Sequence, residues 1–150
     1  VYAAAGGART TTSVDLSNTY LEWAHENLLL NGFAGSEHEL NRADCLDWLD
    51  AQTVWGARFD LIFVDPPTFS NSKRMHGVLD VQRDHVGMIT RSLRLLRPAG
   101  RLVFSTNYRR FRLDTAAFAE LIVEDLSSQT IPRDFARHAD IHHCYSIRRR

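Results

Sequence analysis

Cysteine is scarce: the 150 residues hold only Cys45 and Cys144, far apart and without the spacing of a metal site or a disulfide framework. That excludes a disulfide scaffold and fits a reducing compartment. No apolar stretch approaches the roughly 18 residues that a membrane span needs, and the N-terminus lacks the basic and apolar regions of a signal peptide. The expected location is therefore cytoplasmic, with no membrane partner. Net charge is missing as well, since 18 basic and 18 acidic residues cancel. Without a global positive field, a case for nucleic-acid binding rests on local clusters. No Pro/Gly/Ser linker, internal repeat or low-complexity segment interrupts the chain, so residues 1–150 read as one domain.

What is present is an alternation of strand and helix patterns. Residues 10–14 are β-branched and short, Ser17 offers an N-cap, and a helix is expected from Asn18 to about Asn31, stopped by Gly32. On it Tyr20, Ala24 and Leu28, flanked by Leu21 and Trp23, form the expected apolar face. Residues 37–42 suggest a second strand, leading into a short helix near residues 44–49. Residues 59–64 are nearly continuously apolar, as in a central strand buried on both faces of a parallel sheet. From Asp80 to Arg97 the positions of Val81, His85, Met88, Ile89, Leu93 and Leu96 are helical; Pro98-Ala99-Gly100 then turns the chain into a strand at residues 101–105. Asp114 is expected to cap a helix reaching about Leu126, and residues 128–131 and 143–147 to form an antiparallel edge pair. The sum is a doubly wound α/β sheet with helices on both faces, whose ligands sit at the carboxyl ends of the strands.

Three candidate site elements lie at such ends. Asp15, with Leu16 beside it, ends the first strand, where a carboxylate either accepts from a ribose diol or caps the following helix. Asp44 follows the second strand and can accept from an adenine amino group while the Cys45 amide donates to a ring nitrogen; it can equally cap the helix starting there. Asp65-Pro66-Pro67-Thr68-Phe69 is the most informative segment. Its two prolines freeze the backbone and remove two donors, leaving acceptors toward a ligand, with Phe69 as a stacking surface for a planar base. A stiff turn with a core phenylalanine is the plainer alternative. Lys73, Arg74, Arg109, Arg110 and Arg112 could hold phosphates at the mouth of such a site, although a charge run is more often a solvated face. His138, Asp140, His142, His143 and Cys144 lie close in sequence, but in a loop entering a strand their spacing does not converge, and no metal is expected.

Residues 10–17, 20–24, 43–46 and 65–75 together resemble the K half of the bacterial ribosomal RNA large subunit methyltransferases K/L, as do residues 80–85, 134–137 and 141–144. The resemblance extends over nearly the whole chain. It implies a Rossmann-like class I methyltransferase fold that transfers a methyl group from S-adenosylmethionine to N7 of a guanine in 23S rRNA. Asp15 and Asp44 match that family's ribose and adenine contacts; Asp65, Pro66 and Pro67 match its active-site motif, with Phe69 beside the incoming base. The family's partner half methylates a different guanine at N2 and carries an RNA-binding module. A cytosine-C5 enzyme would need a cysteine just after residues 101–105, where this chain has Phe104-Ser105-Thr106-Asn107. A noncatalytic RNA-binding or assembly module on the same fold is the reading from another class.

In this fold a first strand and glycine-rich loop precede the position of Asp15 by about 20 residues. Here residues 1–5 look like the tail of the helix after that loop, with Gly6-Gly7 its stop. A partial domain is therefore expected, with the upstream remainder of the polypeptide as its partner. Residues 1–150 alone should be inactive, and isothermal titration showing micromolar S-adenosylmethionine binding by them would overturn that expectation.

Overall fold

The computed structural model describes residues 1–70, 78–135, 137–138 and 140–150. The chain divides into two compact units, Val1–Trp48 and Leu49–Arg150.

The first unit is a βαβ arrangement. After a short helix α1 (Tyr2–Ala5), strand β1 (Thr11–Asp15) leads into helix α2 (Asn18–Leu30) and strand β2 (His38–Arg42). The two strands pair in parallel from Thr11↔His38 to Asp15↔Arg42, a pairing that requires the crossover helix between them. The Ser17 side chain accepts from the Tyr20 amide and starts α2; Gly32 at φ +79° ends it in a conformation that favours glycine. The expected apolar face of α2 needs a correction. Leu28 is buried and Leu21 and Ala24 half-buried, but Tyr20 and Trp23 are exposed and pack on each other at 5.7 Å between ring centroids. The stripe toward the strands runs through Leu21, Ala24 and Leu28, at spacings of three and four residues, and Tyr20 falls about 40° beyond its Ala24 edge.

Helix α3 (Cys45–Trp55) leads into the second unit, where a sheet is ordered β3-β6-β8-β7. Strands β3 (Phe59–Val64) and β6 (Leu96–Thr106) are parallel, whereas β8 (His143–Arg149) runs antiparallel to both β6 and β7 (Leu121–Asp125). A two-stranded ribbon, β4 (Phe69–Ser70) with β5 (Leu79–Asp80), precedes helix α4 (Val81–Arg94). Asp80 caps α4 by accepting from the Gln82 and Arg83 amides at 2.9 and 3.1 Å, and Asp84 accepts from the Asp80 amide at 2.9 Å. This is the reciprocal logic of a capping box, one residue further along. Helix α4 buries Val81, His85, Met88, Ile89 and Ser92, largely the stripe read from sequence, and packs on β6. With Leu95, Leu96, Leu102, Phe104, Phe111 and Ile147 these residues form the core.

Four expectations are revised by the structure. The inner strands of this sheet are β6 and β8, each paired on both edges; β3 is paired on one edge among the described residues, and its Leu61 and Phe63 are 56% and 64% exposed. The turn Pro98-Ala99-Gly100 is a bulge inside a longer strand: Phe59 pairs with Leu96 but Leu61 with Arg101, so the extra β6 residues loop out. Gly100 is needed there, because a Cβ would lie 3.0 Å from the Phe59 carbonyl oxygen. Asp114 accepts from the Ala117 amide as a cap would, but only the 3-10 turn Ala116–Phe118 comes after it. Leu121-Ile122-Val123 then extends and pairs with β8, where the β-branched Ile122 and Val123 fit a pleated surface. Finally, the expected strand at 128–131 is helix α5 (Ser127–Thr130), started by Asp125 accepting from the Ser127 amide at 2.8 Å. The antiparallel edge pair exists, with β7 rather than residues 128–131 as the partner of β8.

Phe104 is fully buried on β6 and packs against Phe111 at 5.6 Å. Phe104→Ala should destabilise the fold by about 3–5 kcal/mol, read as a lowered urea midpoint.

Candidate active site

The β3–β6 ladder stops at Val64↔Phe104, because Pro66 and Pro67 have no N–H to continue it. Side chains take over. Ser105 Oγ donates to Asp65 Oδ1 at 2.6 Å, and Thr68 Oγ1 donates to Asn107 Oδ1 at 2.9 Å. The Thr68 carbonyl accepts from the Val81 amide at 3.1 Å, and Phe69 pairs with Asp80 in the ribbon. The turn is thus tied to β6 and to the start of α4. Asp65, Pro67 and Phe69 are exposed, while Pro66 and Thr68 are half-buried. Alternate residues of an extended segment share a side, so the turn presents a carboxylate, a proline and an aromatic ring together. Phe69, 58% exposed, is a surface ring and not a core residue.

In the first unit the ends of β1 and β2 bring Asp15, Leu16, Asp44 and Cys45 together. The Ala43 amide donates to the Asp15 carbonyl at 3.2 Å, Cys45 Sγ lies 3.5 Å from the Val14 carbonyl oxygen, and Arg42 Nε reaches the Leu16 carbonyl at 3.4 Å. Asp44 caps α3, whereas Asp15 sits two residues before the start of α2 and holds the amide of its N-cap, Ser17. Asp15 Oδ1 accepts from the Ser17 amide at 2.7 Å, and Asp44 Oδ1 from the Leu46 and Asp47 amides at 2.9 and 3.5 Å. Among the described residues no hydrogen bond falls on the Oδ2 of either, and the Cys45 amide is not among those Asp44 takes. The capping role and a ligand role are therefore compatible, one oxygen for each.

The arginines after β6 lie in a turn and the irregular segment after it, held by side chains of α4. The Gln82 amide clasps Arg112, accepting from its N–H at 2.8 Å and donating to its carbonyl at 2.9 Å. His85 Nε2 accepts from the Asp114 amide at 3.1 Å, so the proton sits on Nδ1, 2.8 Å from the Gln82 carbonyl. Between these ties Phe111, 1% exposed, inserts beside His85 at 5.0 Å between ring centroids. Arg109, Arg110 and Arg112 remain exposed. Lys73 and Arg74 lie outside the described residues. Sequence reasoning missed the supporting set Gln82, His85, Ser105 and Asn107, since polar residues on a helix and at a strand end carry no signal until their partners are adjacent. Among the described residues no group of three His, Cys, Asp or Glu side chains could hold a metal ion, and no helix is long and apolar enough to cross a membrane.

No family model matches this chain. A ribosomal RNA large subunit methyltransferase K/L from Allochromatium vinosum is 60% identical over 147 residues, covering 98% of this chain and 20% of that protein. Its counterparts from Methylococcus capsulatus and Chromohalobacter salexigens are each 55% identical, over 98% and 100% of this chain. The chain is similar to the K/L methyltransferases over nearly its whole length. It spans 20% of the length of these relatives. A solved structure described as a methyltransferase complexed with SAH superposes with a TM-score of 0.83 at 26% identity, covering 97% of this chain and 40% of that one. A SAM-dependent methyltransferase from Streptococcus mutans gives 0.80 at 25% identity, with the same two coverages of 97% and 40%. The fold is that of the class I methyltransferases, as the resemblance implied.

Neither thiol is poised as a nucleophile. Burial, and then the charges of Asp15 and Asp44, push the Cys45 thiol up to about 11; burial above all also raises Cys144, on β8 opposite Ser105. Cys45 keeps surface open to solvent, yet its sulfur is turned onto the Val14 carbonyl. Against an ordinary value of 9.0, a pKa of about 11 lowers the thiolate fraction about a hundredfold at pH 8. Iodoacetamide labelling of Cys45, followed by mass spectrometry, should be slow at pH 8 and accelerate only as pH approaches 11.

Proposed function

We propose that this chain carries the base-facing turn and the nucleoside-facing carboxylates of an S-adenosylmethionine-dependent methyltransferase that modifies 23S rRNA at guanine N7. The observation that carries the reading is the Asp65-Pro66-Pro67-Thr68-Phe69 turn, exposing a carboxylate and an aromatic ring at the carboxyl end of a parallel strand. In open α/β sheets that is where ligands bind. The K/L names of the relatives and the methyltransferase fold support the reaction class. The donor set fits the cofactor: Asp15 Oδ2 suits a ribose diol, Asp44 Oδ2 an adenine amino group, and the Cys45 amide a ring nitrogen. Leu16 lies beside them. Further segments of a longer polypeptide complete the pocket, as the 20% coverage of the relatives allows.

When bound, S-adenosylmethionine supplies a methyl group on a sulfonium whose sulfur keeps the C–S electron pair as N7 forms the new bond. Guanine N7 has an in-plane lone pair and carries no proton at neutral pH, so the protein has no proton to remove. Its work is placement and charge stabilisation. Phe69 stacks on the base, Pro66 and Pro67 orient it with carbonyl oxygens, and Asp65 faces the positive charge that develops on the ring. Arg109, Arg110 and Arg112, with Lys73 and Arg74, neutralise RNA phosphates. Cytosine-C5 chemistry is disfavoured by two thiols held protonated and by Thr106-Asn107 where a nucleophile would stand.

Incubation of the complete protein with rRNA lacking the modification, followed by mass spectrometry, should place the methyl on guanine N7; methyl on an exocyclic amine would refute that atom. Asp65→Ala should lower the methylation rate by roughly 100–1,000-fold with RNA affinity retained. Replacing Arg109, Arg110 and Arg112 by Ala should flatten the dependence of log affinity on log salt by roughly 2, about 0.7 per phosphate contact on single-stranded RNA, measured by fluorescence anisotropy. An unchanged slope would remove these arginines from the interface.

A further inference from the structure

Ser105 has no role in the reaction as proposed, yet its position is unusual. It is 3% exposed on the inner strand β6, with its backbone paired to Cys144 of β8. Its hydroxyl bonds not to a neighbouring carbonyl but to Asp65, an exposed residue, at 2.6 Å. That is the short range of a hydroxyl bonded to a carboxylate. A hydroxyl in a fully packed strand therefore spends its hydrogen bond on a side chain at the surface. Had burial alone been required, alanine would serve, and Asp65 would be satisfied by water. The ladder explains why a side chain is needed: Val64↔Phe104 is its last pair, and the prolines beyond it cannot donate.

We propose that Ser105 is the positioning residue of the site, holding Oδ1 of Asp65 so that the carboxylate cannot rotate and Oδ2 alone faces the incoming base. This rests on the methyltransferase reading. The sheet fixes the Ser105 backbone, Ser105 fixes Oδ1, and the second tie, Thr68 to Asn107 at 2.9 Å, secures the turn beyond the prolines. Asp65 and Phe69 thereby keep a constant relation without substrate present, which is the preorganisation that charge stabilisation in a transition state requires. Because the carboxylate itself persists in a Ser105 variant, binding is retained and the chemical step suffers.

The complete protein, unmodified rRNA and S-adenosylmethionine form the assay, with wild type, Ser105→Ala, Ser105→Thr, Asp65→Ala and the double variant Ser105→Ala/Asp65→Ala. Ser105→Ala should lower kcat by about ten- to a hundredfold while KM for both substrates stays within about twofold. Ser105→Thr, which keeps the hydroxyl, should recover most of the loss. In the double variant, removing Ser105 should cost nothing beyond Asp65→Ala, since Ser105 acts only through that carboxylate. Wild-type kcat in Ser105→Ala overturns the proposal, as does a double variant slower than Asp65→Ala by the full Ser105 factor, the mark of a general structural role. If Ser105→Thr fails to fold, the cycle between Ser105 and Asp65 decides alone. Absence of methyl transfer by the wild type would overturn this proposal together with the reading beneath it, whereas wild-type transfer with an unaffected Ser105→Ala overturns this one only.

Discussion

Two prolines that cannot donate end the backbone ladder between β3 and β6 at Val64↔Phe104, and much of the second unit is arranged around that break. A parallel strand normally continues its pairing until the chain leaves the sheet. Here it is released one residue after Val64, and side chains of the neighbouring strand hold Asp65 and Thr68 in its place. The released segment alternates sides like a strand but pairs with no strand of the sheet, and Asp65, Pro67 and Phe69 are exposed on one side. Reattachment comes at the ribbon β4–β5 and at the Thr68 carbonyl, which accepts from the first residue of α4. The break makes an open face, and the ties on either side keep it rigid.

The same economy of donors governs the first unit. Asp15 and Asp44 both sit where a parallel strand gives way to a helix, and each spends one carboxylate oxygen on the backbone there: Asp44 on first-turn amides of α3, Asp15 on the amide of Ser17, the N-cap of α2. A bidentate acceptor can serve the helix and a ligand at once. That is why capping and nucleoside binding, which look like rival explanations of an aspartate after a strand, are not rivals at these two positions. Cys45, between them, has its thiol held protonated by burial and by the two carboxylates. This suits a site that uses acceptors and would defeat one that needed a sulfur nucleophile.

The exposed arginines owe their position to residues with no charge. Gln82 and His85 on the first turns of α4 hold the backbone of Arg112 and Asp114, and Phe111 is driven into the core between them, among Phe104, His85, His143 and Tyr145. The sequence offered these arginines as phosphate-binding candidates or a solvated run, but not the residues that hold them in place.

Local chemistry was legible from the sequence: Ser17 as a cap, Gly32 as a stop, the parallel strands ending at Asp15 and Val64, the stripe of α4, and the proline turn with its flanking motifs. Each is governed by residues a few positions apart. What lay beyond the sequence depends on partners distant along the chain. The Leu121-Ile122-Val123 segment became a strand because β8 was there to pair with it, not because its own residues forbade a helix. Likewise, among the described residues β6 and β8 are the inner strands and β3 an edge, since position in a sheet is a matter of neighbours and an apolar run reports only a capacity for burial. The Asp65–Ser105 bond joins residues 40 apart in sequence: the sequence by itself determined that a carboxylate would stand at a rigid turn, and only the sheet, by setting β6 beside β3, decided which hydroxyl would orient it.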